Sequence, residues 1–373
     1  MNLTIINASE QQVYTSMFGI DNGGNWCLYN FSTDTLDECT SATTAMDYMY
    51  PMSGDIFIQS VPQLASGIVL FSYNQLPNDF AVVLNGDGIY TVQSPSFLPG
   101  TSDYETVFNV VEFTYTGTTN NGAPAVWVDV TNVDFFSTPI EIILSGTNPS
   151  GAYFESKGSM KSGIDTVFSD FINETQGTVF SGLVVTGGSF GSGNVRILGP
   201  QHGISAGLIP TSYWDAYVDS MWTLYATETL NVVTSYGSYT GTTASGDLIF
   251  TNLENGDTHM YSQPGPGLAS DIFGCSGTLA APNDAHGAIA AVIGAAINRS
   301  TILENASQPD CLVSDYYQLT GSTNLYAAVL HKFYMDGTTY AFPFDDVCNG
   351  SSTLSCTTPE AATIILSTFE NIC

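Results

Sequence analysis

Apolar and polar residues alternate with a period of two along much of this chain. Val111, Phe113 and Tyr115 alternate with Glu112 and Thr114, and Val126, Val128 and Val130 with Trp127 and Asp129. That is the pattern of strands that bury one face. Shorter strands are predicted at 3–7, 12–18, 55–59, 67–73, 80–83 and 140–144, bounded by Gly, Pro or Asn. The period then changes. Ile164, Val167, Phe168 and Phe171 recur at helical spacing within 162–173, as do Trp214, Tyr217, Met221 and Leu224 within 213–227. The stretch 284–301 is Ala-rich, with Asp284 placed to cap a helix. Strands are expected again at 230–233, 247–250, 326–330, 339–342 and 363–366.

These patterns predict a mainly β protein with a mixed α/β part. Residues 1–150 and 325–373 form the β lobe, residues 151–324 form the α/β lobe, and a cleft between them is the expected ligand site.

Charge narrows the ligand. Thirty-five acidic residues face five basic ones, a formal net charge of -30. Such a surface repels nucleic acid and anionic membrane, leaving neutral ligands, above all carbohydrate. Depletion of Lys and Arg also fits mildly acidic surroundings, where protonation relieves the repulsion. The seven cysteines form no CxxC pair, so disulfides in an oxidising compartment are expected rather than a metal site. The expected pairs are Cys27 with Cys39, Cys348 with Cys356 and Cys275 with Cys311, leaving Cys373 free or available to another chain. Seven Asn-x-Ser/Thr sequons, including Asn298, decide little, since a chain this rich in Ser and Thr carries about five by chance; secretion is expected from the cysteines instead. The signal segment is absent from this sequence, because the first residues lack a basic and an apolar region.

Three acids stand among apolar neighbours: Glu112, Asp129 and Asp134. A carboxylate there is costly unless paired or open to a cleft. Gly203, Ser205 and Gly207 match GxSxG, but the flanking prolines deny it the strand-to-helix setting of a nucleophile elbow. His331, without a partner visible in the sequence, reads as structural.

The order EFT (112–114), WxxxTxVDFF (127–136), DIFGCxGxLAAPND (271–284), GAIAAxIGAAINRST (287–301) and YAFPFDDV (340–347) resembles the glycoside hydrolase family 64 β-1,3-glucanases, of the laminaripentaose-producing type. The resemblance covers essentially the whole chain. It implies a thaumatin-like β-barrel or sandwich lobe and a mixed α/β lobe flanking a wide groove. It further implies inverting hydrolysis of β-1,3-glucan without cofactor or metal, with Glu112 as general acid and Asp134 as general base. Thr114, Trp127 and Thr131 correspond to sugar-contacting positions, and Asp345 either lines the groove or closes a turn.

Face counting leaves the base open. Asp134 lies three residues beyond Thr131, the wrong parity for the face of Trp127, Asp129 and Thr131, so a bulge or bend must intervene. A symmetric hairpin turning at 120–121 would instead set Asp129 opposite Glu112, although the 116–125 loop is longer than the family's. A second class of function also fits: a non-catalytic, β-glucan-binding or self-assembling extracellular protein of thaumatin-like fold, joined through Cys373.

Overall fold

The computed structural model describes residues 1–117, 123–187, 193–318 and 322–367. Two large sheets dominate it. In the first, Thr358–Leu366 lies between Asn2–Asn7, which it pairs in parallel, and Ile140–Asn148, which it pairs antiparallel; Gly151–Lys157 and Ile56–Ile58 form the edges. The hairpin of Ile140–Asn148 with Gly151–Lys157 therefore carries the chain past residue 150 before it leaves this sheet. In the second, Leu64–Tyr73 runs between Val13–Ile20 and Phe108–Tyr115, followed outward by Val126–Asp129 and Leu354–Cys356.

The alternation read from the sequence explains how they stack. Leu3, Ile142, Leu144 and Ile364 of the first sheet share one core with Val69, Val111, Val126 and Val128 of the second. Inner-face residues of two sheets interdigitate in this way in a sandwich. Among the described residues neither sheet closes on itself, so the barrel alternative gives way to stacked open sheets.

A third sheet is built from Leu230–Thr234, Gly237–Ala244, Asp247–Asn252 and Thr258–Ser262, with Ser307–Gln308 in parallel at its edge. The helix Ala285–Asn298 packs on it, burying Ile289, Ile293 and Ile297, and Asp284 caps it by accepting from the Gly287 amide at 2.9 Å. The other predicted helices are Ile164–Thr175 and Asp215–Leu224.

One predicted strand is a helix. The apolar run at 326–330 lies within Leu325–Phe333, whose N-cap Asn324 accepts from Ala327 N at 3.1 Å. Its residues are buried on most sides, with Tyr326 edge-on to Phe171, so no periodicity distinguishes the two states.

The disulfide pairing is also corrected. Cys311 bonds to Cys348, while Cys27, Cys39, Cys275 and Cys356 are free thiols. Cys356 lies in the strand Leu354–Cys356, its sulfur against Gly146 of the first sheet, whereas Cys348 turns through a left-handed residue toward the carbonyl of Asp310. Short sequence spacing therefore does not bring them together. Cys373 lies outside the described residues. The sequon at Asn298 is closed to modification, because its side chain is fully buried and bonded to the carbonyls of Ile272 and Gly294.

Candidate active site

Phe108–Tyr115 and Val126–Asp129 pair in the symmetric register, with Glu112 opposite Asp129 and Thr114 opposite Trp127. The length of the 116–125 loop does not prevent that register; residues 118–122 of the loop, with the turn at 120–121, lie outside the described residues. Apolar residues of both strands enter the sandwich, and the polar set of four faces outward. It lines a hollow of about 330 Å³ together with Trp26 and Gly67. Trp127 is 38 % exposed, so its ring face is open to a ligand. Trp26 was not singled out in the sequence. It stands outside the matched motifs, and only pairing of its strand Trp26–Asn30 beside Val13–Ile20 brings it to the hollow.

The carboxyls differ in surroundings. Glu112 is open to solvent in the hollow yet crowded by protein, and this burial, with the negative charge of Asp134, raises its carboxyl above the ordinary 4.5. Asp129 is more enclosed. One of its oxygens is buried without a hydrogen-bond partner, and burial, Glu112 and Asp346 together push the carboxyl up to about 8. It is therefore a neutral acid at mildly acidic pH.

Asp134 does not line the hollow. After Val126–Asp129 the chain bridges at Thr131 to Tyr340 and then bends at Val133 and Asp134, before Phe135–Phe136 pairs with Asn194–Leu198 in another sheet. That bend is the break in parity the sequence required. Asp134 leaves the second sheet and is half exposed, with Oδ1 2.7 Å from His202 Nε2 and 3.2 Å from Gln201 Nε2. Neither partner was foreseen, since both belong to Pro200–Ser205, on which only the GxSxG match falls. That match is no nucleophile elbow: Ser205 ends this helix instead of preceding one, and its hydroxyl donates to Gln201 O at 3.2 Å.

Thr131 is half-buried beyond the hollow. Asp345 is not a groove residue. It is fully buried, with Oδ1 3.0 Å from Arg299, Oδ2 3.0 Å from His331 Nε2 and a third bond from the Ala341 amide. His331 thus has a partner, and its Nδ1 faces the Gly337 carbonyl at 2.8 Å. Asp345 sits in a turn, its amide donating to the Phe342 carbonyl at 3.1 Å and its carboxylate shared between Arg299 and His331. Among the described residues, no cluster of three or more His, Cys, Asp or Glu is placed to hold a metal ion.

The family profile for β-1,3-glucanases, glycoside hydrolase family 64, matches residues 1–366. The chain is 32 % identical over 316 residues to a glucan endo-1,3-β-glucosidase of Cellulosimicrobium cellulans, covering 83 % of this chain and 53 % of that protein. A relative with the same description from Arthrobacter sp. (strain YCWD3) matches equally, so the chain spans about half the length of the curated relatives it matches. Among solved structures, it is similar to a laminaripentaose-producing β-1,3-glucanase in complex with laminaritetraose, with a TM-score of 0.82, 26 % identity and 99 % of each chain covered. A β-1,3-glucanase domain from Clostridium beijerinckii shares the fold at 21 % identity, with a TM-score of 0.80 and 98 % of each chain covered.

Proposed function

Because the chain belongs to the glycoside hydrolase family 64 β-1,3-glucanases, we propose that it hydrolyses β-1,3-glucan with inversion, Glu112 acting as general acid and Asp134 as general base. The observation that carries this assignment is the contrast between the two carboxyls. Glu112 is held toward its protonated form by burial and by the charge of Asp134, and an acid catalyst must keep its proton until the glycosidic oxygen takes it. Asp134 stands half exposed off the sheet, with two nitrogens of His202 and Gln201 on its Oδ1. A carboxylate so placed can receive the proton of an attacking water.

Water would add to the anomeric carbon as the bond to the leaving oxygen breaks. Glu112 donates its proton to that oxygen, and Asp134 takes one from the water. Trp127 and Trp26 offer ring faces to the apolar faces of glucose units, and Thr114 offers a hydroxyl. The ligands named for solved relatives, laminaritetraose and laminarihexaose, are the first substrates to try.

Asp129 is the rival, since it stands directly across from Glu112. A base or nucleophile must be ionised when it acts, and a carboxyl at about 8 is not. The cystine Cys311–Cys348 and the uncompensated negative charge accompany a protein working outside the cell on a neutral polymer.

The decisive experiment follows laminarihexaose hydrolysis by proton NMR. The first product should carry the α-anomeric reducing end, and Glu112→Gln should lower kcat by about 10³-fold or more while oligosaccharide binding persists. A β-anomer at first appearance would transfer the role to Asp129 and a retaining route. Binding without turnover by the wild type at every pH from mildly acidic to neutral would favour the non-catalytic glucan-binding reading.

A further inference from the structure

The segment 199–202 holds Asp134 at two levels. Its backbone meets that of Asp134 closely: the Gly199 amide donates to the Asp134 carbonyl at 2.7 Å, and a Cβ at Gly199 would stand 2.3 Å from Val133 O. One turn later, Gln201 Nε2 and His202 Nε2 reach the carboxylate oxygen Oδ1. The imidazole has little freedom to leave. Its side chain is 21 % exposed and stands edge-on to Phe97 at 4.8 Å and 85°, and Phe97 in turn packs 4.8 Å from Phe135, the residue after Asp134.

We propose that His202 is a positioning residue for this base, an inference that rests on the hydrolase reading. An ionised carboxylate only accepts, so Nε2 carries the hydrogen of this bond in either charge state of the ring. With Oδ1 held there, rotation of the carboxylate is arrested and Oδ2 is the oxygen presented to water. During turnover the water oxygen bonds to the anomeric carbon, the glycosidic bond breaks, Glu112 protonates the leaving oxygen and Oδ2 receives the water proton. His202 keeps its own proton throughout. Its part in the reaction runs through Asp134 alone, as second partners orient primary groups in other sites.

The test compares wild type, His202→Ala, His202→Gln and Asp134→Asn on laminarin. Gln places an amide N–H near the position of Nε2 and is the conservative variant. His202→Ala should lower kcat by about 10- to 100-fold with KM within about threefold, and His202→Gln should recover most of that loss. Should His202→Ala fail to fold, His202→Phe keeps the packing on Phe97 without an N–H and takes its place. The proposal is overturned if the donorless variant keeps the wild-type kcat, if its loss lies in KM, or if Gln is no better than Ala. Long-range ¹H–¹⁵N spectra of the wild type read the bond without turnover: a ring protonated at Nδ1 alone would overturn it as well. An inactive wild type would remove the hydrolase reading and this inference together, whereas an active wild type indifferent to His202 would remove only the latter.

Discussion

At the residue scale, three carboxyls differ because of what stands beside them. Asp134 contributes to the raised carboxyl of Glu112, so Asp134→Asn should move the Glu112 titration toward the ordinary 4.5, read by ¹³C NMR of the labelled carboxyl. An unchanged titration would mean that burial alone sets it. Asp129→Asn keeps a neutral polar group where a neutral acid already stands. It should cost no more than about tenfold in kcat, against about 10³-fold for Asp134→Asn, in parallel laminarin assays. In the sequence, apolar neighbours mark Glu112, Asp129 and Asp134 alike, and only the motifs single out Glu112 and Asp134 as the proposed pair. His202 and Gln201 were not found: their signal is a contact across 67 and 68 residues, which strand periodicity does not carry.

At the scale of elements, most of the strand pattern survived, although 326–330 is helical and 339–342 holds only an isolated bridge at Tyr340, and the details of pairing decided the site. Alternation gave Phe108–Tyr115 and Val126–Asp129 their faces, but their register placed Asp129, not Asp134, opposite Glu112. The bend at 133–134 is the departure from period two that the parity count called for between Thr131 and Asp134. Leu325–Phe333 was misread because a helix buried on most sides carries no polar stripe. A tight approach between strands underlies the hollow. The ring of Phe113 lies over Gly67 on the neighbouring strand, where an added Cβ would stand 2.6 Å from it. Gly67→Ala should therefore destabilise the protein by about 1–3 kcal/mol in chemical denaturation, as overpacking does. It should also weaken oligosaccharide binding by displacing the floor of the hollow.

At the scale of the whole molecule, charge is the distinguishing feature, and it was fully legible in composition. The five basic side chains all have partners within the chain: Arg299 with Asp345, Lys157 with Asp336 and Glu155, Lys332 with Glu174, Lys161 with the Lys332 carbonyl, and Arg196 between the rings of Phe108 and Phe135. The remaining acids repel one another, so the melting temperature should rise with added salt up to a few tenths molar, where screening is nearly complete. A flat salt response would show that these charges are already too far apart to matter. The buried Asp345 adds a pH window. Burial opposes its charge, but His331 and Arg299 overcome this and lower its carboxyl below 3.8; its contribution is present above that value and is lost as pH falls through the folded one. Burial likewise opposes a charged His331, yet Asp345 and the Gly337 carbonyl raise it above 6.5; its contribution is complete below 6.5 and is lost as pH rises through the folded value. Melting temperatures should thus be highest between about 4 and 6.5, with the alkaline decline reduced in His331→Asn.

The strand Thr358–Leu366, between Asn2–Asn7 and Ile140–Asn148, also governs the order of assembly. A ribosome releases the opening strand more than 350 residues before the partner that fills the middle of its sheet. Until then Ile5 and Ile142 must wait with an empty lane beside them, and a chain halted short of residue 358 has two strands with no neighbour to join them. Acquisition of this sheet is therefore dominated by long-range closure, slow for its size and exposed to mispairing. Pulse-proteolysis of ribosome-bound chains should find protection of this sheet only after Leu366 has cleared the exit tunnel.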